Sequence, residues 1–204
     1  MAIKGHVGAV YAPDDLTGTN VASETFDGDD ATVEFTLANE YVMPYSETVT
    51  VSTEQTRNKD YTINYITGKI TFTSAPASGT DNIDVAYDYY TISEVGGFFS
   101  WTINKNADTL ESTSFDSSGE RTYVAGLTDW DGSATKYWAS AKTFHDFVGE
   151  DDVIISFYVD DVTNNYRYEG YGVLNSKSVD TSVDSLIEES IEIQGSGTLT
   201  YRSS

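Results

Sequence analysis

The stretch Asp60-Tyr61-Thr62-Ile63-Asn64-Tyr65-Ile66-Thr67-Gly68-Lys69-Ile70-Thr71-Phe72 decides the structural class of its surroundings. Tyr61, Ile63 and Tyr65 alternate with Thr62 and Asn64. After Thr67-Gly68, Ile70 and Phe72 alternate with Lys69, Thr71 and Thr73. A period of two is the signature of a strand with one buried and one wet face. A Thr-Gly pair between two such patterns predicts a tight hairpin. The alternation extends outward on both sides, through Val33, Phe35 and Leu37, then Val49 and Val51, then Ile83, Val85, Tyr87 and Tyr89. Residues 31–90 thus read as a run of short antiparallel strands that makes a small β-module of its own.

Strand patterns dominate the rest of the chain. Residues 1–13 predict a first strand ending at Pro13, and residues 14–30, rich in Asp, Gly and Thr, predict a loop. After Gly96-Gly97, Phe99, Trp101 and Ile103 share one strand face. Residues 107–127 lack periodicity and read as a long loop, which inside a compact domain is usually functional or packed on something else. Over 137–148, Trp138, Ala141, Phe144 and Val148 recur at helical spacing and Gly149 follows as a stop, so one flanking helix is predicted there. Val153-Ile154-Ile155-Ser156-Phe157-Tyr158-Val159 is apolar on both faces, as in a strand covered on two sides. Tyr166, Tyr168 and Tyr171 predict its hairpin partner, continuing through 173–179. Ile187, Ile191 and Ile193 alternate with Glu188, Ser190, Glu192 and Gln194, and Thr198 to Tyr201 closes the chain. The class is mainly β.

The 204 residues suit one large domain, or one domain carrying a smaller insert. There is no Cys, so neither a disulfide nor a thiolate-bound metal holds the fold together. Thirty-three acidic residues face 11 Lys and Arg, a formal charge of −22. Such a surface repels nucleic acid phosphate, which argues against a sequence-reading role on DNA or RNA. Disorder is disfavoured by 13% aromatic residues and clear strand periodicity. Two readings of the acidity remain, a specific partner or cation site and adaptation to molar salt. At 1 M the screening length is ~3 Å, so self-repulsion no longer opposes association. Asp in excess of Glu, scarce Lys and the scatter of the acids favour the salt reading. No stretch approaches the ~18 consecutive apolar residues of a membrane helix. Met1-Ala2-Ile3-Lys4-Gly5-His6-Val7 has no apolar run behind its Lys, so a protein made in a cytoplasm, without a secretory signal or a membrane partner, is expected.

Catalytic constellations are sparse. His6 and His145 stand far apart, and there is no Gly-x-Ser-x-Gly, no phosphate-cradling loop and no His-Glu-x-x-His. Asp27-Gly28-Asp29-Asp30 and Asp129-Trp130-Asp131-Gly132-Ser133 do not complete a calcium loop and read as turns. Trp101, Trp130 and Trp138 suit a sugar platform or a core, and the spacing of Trp101 and Trp138 favours core. Neither an enzyme nor a cofactor is expected.

Several longer stretches carry a resemblance. Gly97-Phe98-Phe99-Ser100-Trp101-Thr102-Ile103 looks like an opening sheet strand, followed by Glu111-Ser112-Thr113-Ser114-Phe115-Asp116 and Arg121-Thr122-Tyr123-Val124-Ala125-Gly126-Leu127. Ile187 to Thr200 closes on Gly195-Ser196-Gly197, and Ile3 to Tyr11 looks like an N-terminal strand. Together these resemble the major tail tube proteins of siphovirus-type tailed phages and archaeal tailed viruses, across roughly the whole chain.

The resemblance implies a tail-tube β-sandwich or partial barrel with one flanking α-helix over 1–21 and 93–204, and an inserted small β-module at 22–92. It implies six subunits closing a ring, rings stacking, and strands joining into one inner barrel. The long loop would reach a neighbouring subunit or ring through Leu110, Phe115, Arg121, Tyr123, Val124 and Leu127, the alternative being an intramolecular lid. Glu188, Glu192 and Gln194 become candidate channel-lining residues, the alternative being ordinary outer surface. The implied partners are further copies of the chain, tape measure, terminator and baseplate proteins, and viral DNA passing without specific binding. The implied location is the virion tail, after assembly in the host cytoplasm. Six copies of a −22 chain would carry a formal −132. The rival reading is a cell-surface or appendage β-sandwich binding module.

Overall fold

The computed structural model describes residues 8–117, 119–138 and 144–203, apart from the side chain of His145. The chain divides into two compact units, Met1–Tyr11 with Glu94–Ser204, and Ala12–Ser93. In chain order the strands are β1 (Ala9–Pro13), β2 (Thr19–Gly28), β3 (Glu34–Thr36), β4 (Thr48–Val51), β5 (Thr53–Glu54), β6 (Tyr61–Asn64) and β7 (Lys69–Phe72). They continue as β8 (Gly79–Tyr89), β9 (Ile92–Glu94), β10 (Phe98–Glu111), β11 (Tyr123–Tyr137), β12 (Val153–Asp160), β13 (Tyr166–Asp180) and β14 (Glu188–Arg202).

In the unit Ala12–Ser93, the sheets β2-β8-β4-β5 and β3-β7-β6 face one another. Phe35, Ile70 and Phe72 from one sheet and Val49, Ile83, Val85 and Tyr87 from the other form a single buried cluster. The predicted hairpin joins β6 to β7 with Asn64 opposite Lys69. Gly68 has φ 64° and lies against the Asn39 carbonyl, so a Cβ there would meet both a strained backbone and a clash. Asn64 Oδ1 accepts from the Ile66 and Thr67 amides at 3.1 and 3.3 Å, which fixes the turn. Glu47, its side chain 1% exposed, accepts from the hydroxyls of Tyr61 and Tyr65, each at 3.1 Å, and pairs with Arg57 at 3.4 Å.

The expected loop at 14–30 is corrected: Thr19–Gly28 is a ten-residue edge strand. Its pattern is hidden because its neighbour is β8 alone and its exposed side bonds through polar groups. Asn20, Ser23 and Thr25 donate to Asp88, Asp84 and Asp81 at 2.7, 2.6 and 2.7 Å.

The other unit is built on a seven-stranded sheet in the order β10-β11-β14-β13-β12-β1-β9. It is strongly curled. The rings of Trp101 on β10 and Phe157 on β12 lie 5.5 Å apart although three strands separate them in the sheet. Trp130, Ala134, Leu174, Ile191 and Ile193 are buried with Phe157. β12 is covered along almost its whole length, as its doubly apolar sequence predicts, and β13 pairs with it as Ser156↔Glu169 and Phe157↔Tyr168.

Two buried carboxylates interrupt this core. Glu189 receives Lys136 at 3.5 Å and Lys177 at 3.2 Å. Glu169 receives Arg167 at 2.7 Å, Arg202 at 3.2 Å and the Ser156 hydroxyl at 3.1 Å.

No α-helix is found among the described residues. Of the predicted helix at 137–148, Tyr137 ends β11, His145–Phe147 is a single 3-10 turn, and residues 139–143, Ala141 among them, lie outside the described residues. Phe144 is buried against Phe98 and Phe147, but Trp138 is exposed rather than core. Residues 1–7, including His6, also lie outside the described residues. The expected turn at 129–133 is corrected as well, because those residues are the middle of β11.

Candidate subunit interface

β10 and β11 pair from Phe98↔Lys136 to Glu111↔Tyr123. β11 pairs with β14 only from Asp131↔Gln194 to Tyr137↔Glu188. The eight residues Tyr123–Trp130 therefore have β10 as their only strand partner. At ~3.4 Å per residue this is a two-stranded arm of roughly 25 Å, before its turn is counted. Ser112 N donates to Thr122 O at 2.8 Å and carries the ladder into that turn. The expected loop at 107–127 is thus strand over 107–111 and 123–127, with the turn confined to 112–122. The arm lacks periodicity because neither face is covered by its own chain.

Leu110 and Val124 are cross-strand partners on this arm, and both are exposed. Tyr123 is exposed, Leu127 is 83% exposed, and Phe115 at the tip is fully exposed. Arg121 is exposed and lies 3.9 Å from Glu111. An isolated two-stranded ribbon is marginal in water. One that presents five large apolar side chains to solvent needs a covering surface.

A second apolar group lies at the opposite end of the same sheet. Because Tyr137 pairs with Glu188, the turn 181–187 joining β13 to β14 lies at the end of β10–β11 away from the arm. Val183 is fully exposed, and Leu186, Ile187, Val179, Tyr137, Trp138 and Phe99 are also exposed.

The convex side of the four strands β10, β11, β14 and β13 is polar apart from Tyr137, opposite Glu188, and Val173, opposite Gln194. In register it carries Thr102, Asn104, Asp131, Ser133, Thr135, Glu188, Ser190, Glu192, Gln194, Ser176, Ser178 and Asp180. Asn104 and Asn106 donate to Asp131 at 2.8 and 3.2 Å. Ser176 donates to Glu192 at 3.2 Å, and Thr135 and Ser190 share a bond of 3.1 Å. No Lys or Arg stands among these positions. The sheet's cations Lys136 and Lys177 lie on the other side with Ala134 and Ile191. Glu188, Glu192 and Gln194 thus fall together on one exposed face, beside acids and hydroxyls that the sequence pattern did not single out. Val183 and Leu186 were also missed. Their one signal is two isolated apolar residues in an otherwise polar Ser-Val-Asp-Ser-Leu turn.

No protein-family model matches the sequence, and no curated protein does. Among solved structures the chain is similar to a chain of the virion of a native gene transfer agent particle (20% identity, 54% of this chain and 88% of that one, TM-score 0.46). It is similar to a chain in the tail of an empty gene transfer agent particle with C6 symmetry (20% identity, 54% and 86%, TM-score 0.46). It is also similar to a chain of the SPP1 tail tube (14% identity, 56% and 69%, TM-score 0.44).

Proposed function

We propose that this chain is a non-enzymatic structural subunit of a viral tail tube. Six copies close a ring, rings stack without limit, and the tube conducts the genome. The observation that carries this reading is the β10–β11 arm, a two-stranded ribbon whose apolar side chains Leu110, Phe115, Tyr123, Val124 and Leu127 are exposed. A second apolar group at the far end of the same sheet gives each copy two different sticky ends. Head-to-tail contacts of this kind generate rings or open filaments rather than closed dimers.

The polar face suits the lumen. Its carboxylates repel phosphate, its hydroxyls and amides offer only neutral contacts, and it has no cation to hold a polyanion. The channel role thus falls to Glu188, Glu192 and Gln194 with Asp131 and Asp180. Tape measure, terminator and baseplate proteins are the expected neighbours in the tail. The −22 charge makes assembly a high-salt event, because at ~8 Å screening in physiological salt adjacent copies repel and at ~3 Å they do not.

The test is sedimentation velocity on the purified chain between 0.15 and 3 M salt, beside a variant whose 112–122 turn is replaced by Asn-Gly. The full chain is expected to form large polymers as salt rises, while the shortened one stays monomeric. Equal behaviour of the two at every salt contradicts the reading.

A further inference from the structure

The sheet opens into a notch where β11 and β14 part. Below the notch the two strands are paired, through Asp131↔Gln194. Above it, β11 pairs only with β10, and β14 from Gly195 to Arg202 pairs only with β13. Gln194 Nε2 donates to the Trp130 carbonyl at 3.1 Å across the base of the notch. Beyond it the two strand edges have no strand between them, an arrangement that invites a further chain. A pocket of about 300 Å³ fills the crotch, lined by Lys105, Thr128, Asp129, Trp130, Gly195 and Leu199, among others.

Two groups in this notch lack partners. The Trp130 indole is 1% exposed, and its Nε1 has no hydrogen-bond partner among the described residues. A buried N–H left without an acceptor is costly. Lys105 stands opposite Trp130 in the register and makes no ion pair among the described residues. It is the only cation of the pocket wall.

We propose that the 181–187 turn of a second copy docks in this notch. The proposal rests on the head-to-tail reading above and names the two surfaces that meet. The turn lies at the opposite end of the sheet from the notch, as a repeating contact requires. It carries Asp184, exposed and unpaired among the described residues, to oppose Lys105. Val183 and Leu186 cover Leu127 and Val124 on the arm wall. In a chain with 33 acids and 11 Lys and Arg, one cation in the notch sets register more than strength.

The absence of Cys makes cross-linking a clean test. The double variant Lys105→Cys, Asp184→Cys, assembled in high salt and oxidised, is expected to give a ladder of covalent multimers on a non-reducing gel. An equimolar mixture of the two single variants is expected to stop at dimers, and each single variant alone to stay monomeric. A bond within one chain is ruled out. Trp130, opposite Lys105, is seven residues along β11 from Tyr137, opposite Glu188, which is roughly 24 Å at ~3.4 Å per residue. A disulfide spans less than ~7 Å between Cα atoms.

Assembled particles that stay monomeric on the gel overturn the pairing and leave the tube reading standing. No particles from the unaltered chain at any salt overturn both. Charge exchange provides a second measurement. Lys105→Asp or Asp184→Lys alone should raise the critical concentration about tenfold, and the two together should restore it to within about threefold. Additive losses in the double variant overturn the proposal.

Discussion

The indole of Trp130 lies flat against Gly195, across the seam where β11 and β14 separate, and leaves no room for a Cβ at that glycine. Trp130 is buried and cannot yield cheaply. Gly195→Ala is therefore expected to destabilise the unit containing β10–β14 by about 1–3 kcal/mol, the usual cost of overpacking a core. All three tryptophans, Trp101, Trp130 and Trp138, lie in that unit, so their fluorescence during urea unfolding reads the effect. Gly96→Ala is the control. A Cβ there meets nothing within 4 Å, and no change beyond about 0.5 kcal/mol is expected. Equal midpoints for Gly195→Ala and the unaltered chain would contradict the packing described.

The arm variants separate folding from assembly. Leu110→Ser and Leu127→Ser each remove an exposed apolar group that touches little in the single chain. Thermal unfolding of the monomer should shift by no more than about 0.5 kcal/mol. The critical concentration for polymerisation should rise at least about tenfold, equivalent to about 1.4 kcal/mol per contact. Unchanged polymerisation by both would remove the arm from the interface.

Glu47 anchors a polar centre in the smaller unit. With its side chain almost wholly buried, it holds Tyr61, Tyr65 and Arg57, and Arg57 stacks 4.2 Å over the Tyr45 ring. Glu47→Ala leaves the two hydroxyls without their carboxylate acceptor and Arg57 without its ion-pair partner, although Arg57 keeps its 2.7 Å bond to the Tyr65 hydroxyl. The expected loss is about 2–3 kcal/mol, read by denaturant unfolding followed through near-UV tyrosine ellipticity. Glu47→Gln, which keeps an acceptor oxygen, should lose less.

Alkaline pH should weaken both units in a defined window. Tyr11 is pushed up to about 12, first by burial and then by the Asp161 carboxylate beside its hydroxyl. Tyr87 is pushed up to about 12 by burial and then by its hydrogen bond to Glu24. In the unfolded chain both ionise near pH ~10. Between ~10 and about 12 the unfolded state holds fewer protons than the folded one, so stability falls as pH rises through that range. Below ~10 their contribution is present in full. Denaturant midpoints from pH 8 to 11.5 check this, with Tyr87→Phe expected to flatten its share of the decline. A level profile across the window contradicts it.

What could be read in the sequence was whatever one buried face imposes. The hairpin at Thr67-Gly68, the doubly buried Val153–Val159 and the alternation of Ile191 and Ile193 appear because each apolar side chain there meets a core. The edge strand β2 did not show because only Val21 and Phe26 pack on its core and a register shift after Val21 breaks their alternation. The β10–β11 arm did not show because a strand with no covered face has no reason to alternate. The buried acids were also hidden. Glu189 occupies the inward position beside Ile191 and Ile193, and only the register against Lys136 reveals why a carboxylate is tolerated there. The tryptophans reversed roles for a related reason. Trp130, set among aspartates and read as part of a turn, is core because two glycine-lined strands make room for it, and Trp138, at helical spacing, is exposed. For the site, the apolar residues of the arm and the acids of β14 were named from the sequence, whereas the notch and the 181–187 turn arise only from where the strands stop pairing.

The most direct test of the central claim is electron microscopy of the purified chain in molar salt, with class averages of end views. Long uniform tubes with six-fold end views and an open lumen are the predicted result. Monodisperse single chains at every salt and concentration would contradict it and favour a surface-binding module instead.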